Sequence, residues 1–172
     1  MKQMVALYVG LPFAALIGLM PPAHSEEVRD FYIKTVHLDG NTTTKGDADH
    51  KPEAFPTAPL PDGGGLVLSK PDAEGKWRIR AFTFEPSQIV VKAGEPIRLH
   101  FVGVQGMNHH IHLEGEGVDE KFALERGTMH TVELKPEKPG IIEVECYDHP
   151  PSMRDRRLAA VILPRQRPSR SG

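Results

Sequence analysis

The chain has 172 residues, 39% of them apolar and 26% charged, with a formal net charge of -2 at neutral pH. That length builds one core and hardly two, and so balanced a charge points to neither a nucleic-acid partner nor charge-driven membrane binding. A single cysteine, Cys146, excludes any intramolecular disulfide.

Lys2 precedes a largely apolar run from Met4 to Met20, and Pro21-Pro22-Ala23-His24-Ser25 adds a small-x-small cleavage pattern ahead of Glu26-Glu27. This predicts a secretory signal peptide over 1–25 and a periplasmic location. A run of about seventeen residues is at the short limit for a membrane span, so cleavage, with no membrane contact afterwards, is expected over the alternative of an uncleaved anchor. Residues 26–65 read as an N-terminal extension. It holds an edge strand over 28–38, stopped by Asp39-Gly40-Asn41, then an extended or partly disordered loop over 42–65 rich in Gly, Pro, Asp and Thr.

Short strand-like segments then recur at 66–68, 76–84, 89–92, 96–104, 109–113, 129–134, 141–146 and 158–163. Ile97, Leu99 and Phe101 alternate with Arg98 and His100, the period of a half-buried strand. Residues 116–126 read as a short helix or an irregular crossover. The tight link 136–140 predicts a hairpin of 129–134 with 141–146, which brings Met129 and His130 to the Cys146 end. The expectation is all-β: a Greek-key β-sandwich over 66–164 with an N-terminal extension, followed by a basic tail over 165–172.

Cys146-Tyr147-Asp148-His149-Pro150-Pro151-Ser152-Met153 places a thiolate, an imidazole and a thioether within eight residues, just after an apolar run. Each residue alone is common in a core or on a surface. The joint spacing argues for a metal, and soft S/N/S donors select copper over magnesium, calcium or manganese. A copper site of this kind needs a second imidazole, which Asn108-His109-His110-Ile111-His112 supplies at the head of a strand. Strand phase favours His109, which shares a face with Ile111 and Leu113. A thiol shielded on a metal also suits an exported protein, in which a lone exposed thiol is a liability.

These residues resemble the cupredoxin family, with C-x2-H-x3-M as ligand loop and N-H-H-I-H-L-E-G as the strand of the upstream histidine. The resemblance runs roughly from Trp77 to Leu163. It implies a cupredoxin-like sandwich and one type 1 copper centre, cycling between Cu(I) and Cu(II), with His109, Cys146, His149 and Met153 as ligands. His110 stands where the family often has asparagine, so His109 and His110 are separated by phase alone. Within the family, the ligand loop, the His-rich strand and the exported extension are similar to those of single-domain periplasmic cupredoxins associated with copper tolerance. That likeness implies copper binding for tolerance and homeostasis, and leaves open a cuprous oxidase activity.

Other donors invite additional copper ions. Met107 lies two residues before His109, Met129 and His130 belong to the same end, and His110 and His112 project from one strand face about 7 Å apart. His100 is expected on a neighbouring strand. The alternative function is a periplasmic electron-transfer shuttle, with Arg154, Arg156 and Arg157 steering an acidic redox partner. A copper store or chaperone is a third. Nucleophilic catalysis through Cys146 is excluded by its place in the ligand loop. Gly63-Gly64-Gly65 leads into a strand rather than a helix, so it is no phosphate-binding loop.

Overall fold

The structure is a computed structural model that describes residues 27–60, 63–154 and 158–165. The predicted signal peptide 1–25, Arg156, Arg157 and the tail beyond Arg165 lie outside the described residues. These contain ten strands and no helix: β1 (Arg29–Thr43), β2 (Leu66–Ser69), β3 (Lys76–Glu85), β4 (Gln88–Lys92), β5 (Ile97–Gly103), β6 (Asn108–Gly115), β7 (Val118–Glu125), β8 (Met129–Leu134), β9 (Gly140–Cys146) and β10 (Leu158–Leu163). One sheet runs in the order β2-β3-β1-β5-β8 and the other β4-β10-β9-β6-β7. The alternating pattern explains the pairing. Ile33, Ile97, Leu99 and Phe101 of the first sheet and Ile111, Leu113, Leu124, Ile142 and Val144 of the second are all at most 1% exposed and fill one core between the sheets.

Three expectations are corrected. β1, expected at an edge and ending near 38, runs to Thr43 in the middle of its sheet, parallel to β5 and antiparallel to β3. Its inward residues Ile33 and Thr35 are fully buried, so the supposed extension contributes to the core itself. Residues 118–125 are neither helix nor crossover but β7, with Val118, Glu120, Phe122 and Leu124 alternating inward against more exposed neighbours. A two-residue turn joins it to β6, with Glu116 and Gly117 at φ 39° and 88°, as a type I′ hairpin requires. Finally, β8 and β9 form no hairpin: β8 pairs with β5 and β9 with β6 and β10, so the link 135–139 crosses between sheets. Val132 and Ile142 thereby face one core from opposite sides.

Pairing of β1 with β5 ends at Thr35 and Gly103, whereas pairing of β1 with β3 continues to Thr43 and Lys76. Residues 36–43, with β3 and β2, therefore form a three-stranded arm that projects roughly 26 Å past the end of β5.

Candidate metal centre

The donors gather where β5, β6 and β9 meet the base of this arm. On β6 the buried face carries His109, Ile111 and Leu113, exposed 0%, 1% and 0%, while His110 is exposed. β6 pairs with β9 so that Ile111 lies opposite Cys146, which brings the end of β9 beside His109. Cys146 Sγ is 3.5 Å from His109 Nδ1 and 3.5 Å from His149 Nδ1. The three donor atoms lie within 4.8 Å of one another. The loop then folds back: the Met153 amide donates to the His149 carbonyl at 3.0 Å and the Cys146 amide to the Met153 carbonyl at 2.9 Å. Met153 is fully buried.

His109 Nε2 lies 2.7 Å from the Gln105 carbonyl. A carbonyl only accepts, so the ring donates from Nε2 and presents an unprotonated Nδ1 to the thiol. Gly106 makes room for this: a Cβ there would sit 2.5 Å from Nε2, and the backbone is at φ 90°. Burial pushes the Cys146 thiol up from its ordinary 9.0 to about 11. Burial likewise lowers both His109 and His149, the latter also through the charge His109 would carry. Without metal the site therefore holds a thiol and two neutral imidazoles. Two imidazole nitrogens and a thiol sulfur facing one point, with a buried methionine in the returning loop, fit one soft cation.

No protein-family model and no curated protein sequence matches the chain. Among solved structures it is similar to a multicopper oxidase, mgLAC, at 15% identity and TM-score 0.49, over 82% of this chain and 40% of that one. It is similar to the copper nitrite reductase from Nitrosomonas europaea at 13% identity and TM-score 0.49, over 81% of this chain and 43% of that one. Auracyanin B matches at 15% identity and TM-score 0.36, over 49% of this chain and 81% of that one. The chain thus spans about two fifths of the oxidase and reductase chains. The fold is a sandwich of two five-stranded sheets with a His-Cys-His group at one end. The site is compatible with one copper ion.

Further residues enclose this centre. Phe82, on the arm, stacks on the His149 ring with centroids 4.0 Å apart and an interplanar angle of 28°. The Gly65 amide donates to the Pro150 carbonyl at 2.9 Å, and Ser152 Oγ donates back to the Gly65 carbonyl at 2.7 Å. A side chain at 65 would overlap the His149 carbonyl, so a glycine is needed for this close approach. Asp148 accepts from the His110 amide at 2.5 Å and meets the His110 ring at 3.0 Å. Burial raises the Asp148 carboxyl, but these His110 bonds outweigh it and hold the pKa below the ordinary value. Gln105 acts through its backbone carbonyl and could not have been singled out by type. The Gly63-Gly64-Gly65 run was visible, and its role is to seat the ligand loop.

The accessory donors are spread out. Met107 and Met129 are 84% and 57% exposed. Met129 pairs with Val102 and His130 with Phe101, so they reach the copper end through β5 rather than through the expected hairpin. His130 stacks on Phe122 at 3.9 Å, with Nε2 2.8 Å from Glu120. His112 is buried between the Tyr147 hydroxyl at 2.9 Å and Asp119 at 2.8 Å. His110 and His112 thus turn to different carboxylates. His100 lies in the opposite sheet from β6, between Asp30 and Thr131.

Proposed function

We propose that the chain is an exported redox protein that would hold one copper ion through His109, Cys146 and His149, with the Met153 thioether as a fourth donor, and would pass single electrons between periplasmic partners. The observation that supports this most directly is the 3.5 Å approach of Cys146 Sγ to Nδ1 of both histidines, with Cys146 and His109 fully buried and His149 half-buried. When bound, copper supplies the Cu(I)/Cu(II) couple. The chain's own part is to hold the donors in place. β6 and the Gln105 carbonyl orient His109, the strand end places Cys146, and the arm and Gly65 seat the loop that carries His149. A frame in which strand pairing and backbone hydrogen bonds fix the donors limits rearrangement between oxidation states, which suits electron transfer. Uptake must expel the Cys146 proton, so loading releases acid.

Copper tolerance, with capture and oxidation of Cu(I), is a second reading supported by Met107 and Met129, which expose thioethers at the copper end. His110, His112 and His130 support it less, because each already faces a carboxylate. Copper per chain tests the choice. One ion, with Cu(I) oxidation unchanged by Met107→Leu and Met129→Leu together, supports the shuttle. More than one ion, lost in that double variant, supports tolerance. A mature N-terminus at Glu26 in periplasmic extracts tests export.

A further inference from the structure

We propose that Phe82 is a positioning residue for the copper centre: it holds the His149 ring and closes one of its faces to water, so that the reduced ion is favoured. This rests on the single-copper reading above. The two imidazoles are secured in different ways. His109 is anchored by its hydrogen bond to the Gln105 carbonyl and stands on a strand paired on both sides. His149 stands on a loop, and its ring lies face to face with Phe82.

Phe82 reaches this position because of the arm. Two residues further along β3, Phe84 is in the core at 2% exposure, and Phe82 is the next residue on that inward face, level with the metal loop. Two contacts keep it there. His37, opposite Phe82 in the β1 register, backs the ring edge-on at 5.3 Å. The Phe82 amide donates to the Gly65 carbonyl at 2.8 Å, and the same carbonyl accepts Ser152 Oγ from the ligand loop. The Phe82 backbone and the covered loop thus share one acceptor, which ties the strand that carries the ring to the loop beneath it.

The electrostatic consequence has a definite sign. A thiolate, two neutral imidazoles and a thioether around Cu(I) carry no net charge, and around Cu(II) they carry one positive charge. Reduction takes one electron from an external one-electron donor and moves no proton. Excluding water from a ligand face penalises the charged member of the couple, so the Phe82 cover raises the reduction potential. It also hinders approach of a competing ligand to the His149 side.

The test compares copper-loaded wild type with Phe82→Leu, which keeps apolar bulk but loses the stacked ring, and with Phe82→Tyr, which keeps the ring. Phe122→Leu serves as control, since it removes a ring stacked on His130. Phe82→Leu is expected to lower the reduction potential and speed removal of Cu(I) by a cuprous chelator several-fold, while Phe82→Tyr and Phe122→Leu stay near wild type. A Phe82→Leu protein with wild-type potential and extraction rate overturns the proposal. So does a Phe122→Leu shift of equal size, or a Phe82→Tyr protein as altered as Phe82→Leu. Should Phe82→Leu fail to fold, side-chain NMR of the copper-free wild type decides: a His149 ring as restrained as His109 supports the proposal, and one as mobile as exposed His110 overturns it. A wild type that takes up no copper fails the single-copper reading instead.

Discussion

The two halves of the candidate metal centre are built on different terms. His109 sits in a regular ladder: β6 is paired on one side with β7 and on the other with β9, and phase alone turns the ring inward. His149 and Met153 sit on a loop between β9 and β10 whose shape comes from chain far upstream, from Gly65, Phe82 and, through Asp148, His110. A ladder imposes a side chain's direction through backbone hydrogen bonds that any sequence of the right period can form. A loop needs particular partners, so the strand half should tolerate changes around it and the loop half should not.

The sharpest break removes the residue that joins the halves. Cys146→Ser is expected to abolish the intense visible charge-transfer band while leaving the sandwich folded, because serine is nearly isosteric and the sheets keep their core. Circular dichroism and the visible spectrum check both parts. On the strand half, His109→Ala should destroy the type 1 spectrum, whereas His110→Ala should leave its main band in place. The opposite result would mean that β6 is out of phase by one residue.

On the loop half, Gly65→Ala leaves all four proposed ligands intact yet forces the His149 carbonyl to move. Overpacking of this kind costs about 1–3 kcal/mol, read as a lower thermal midpoint of the copper-free protein, together with a changed paramagnetic resonance spectrum of the copper form. A Gly65→Ala protein with both unaltered would show the loop to be independent of the arm.

Proton linkage gives the smallest and most general effect. His109 and His149 are lowered by burial, so between their folded values and 6.5 the unfolded chain binds more protons and stability falls with falling pH. Cys146 is raised to about 11, so between 9.0 and that value the folded chain holds the extra proton and stability falls as pH rises. The copper-free protein should therefore be most stable between about pH 6.5 and 9 in denaturant titrations, with Cys146→Ser removing the alkaline limb only.

The sequence by itself determined the class of the fold, most of the strands from 66 to 163 and the soft donor set, because period-2 burial and ligand chemistry are properties of residue type and local spacing. The same alternation turned His109 inward. It did not reveal β7, whose inward Glu120 and short hydrophobic repeat mask the pattern, and it assigned β8 and β9 to one hairpin when each belongs to a different sheet. Pairing partners depend on which buried faces meet across the core, and a tight link is compatible with either arrangement. Tertiary structure alone decided that β1 is central and that the Gly63-Gly64-Gly65 run underlies the ligand loop. It alone brought Phe82 against His149 and gave the Gln105 carbonyl to His109. Those contacts join residues tens of positions apart through backbone carbonyls and ring faces, which carry no signature in the order of residue types.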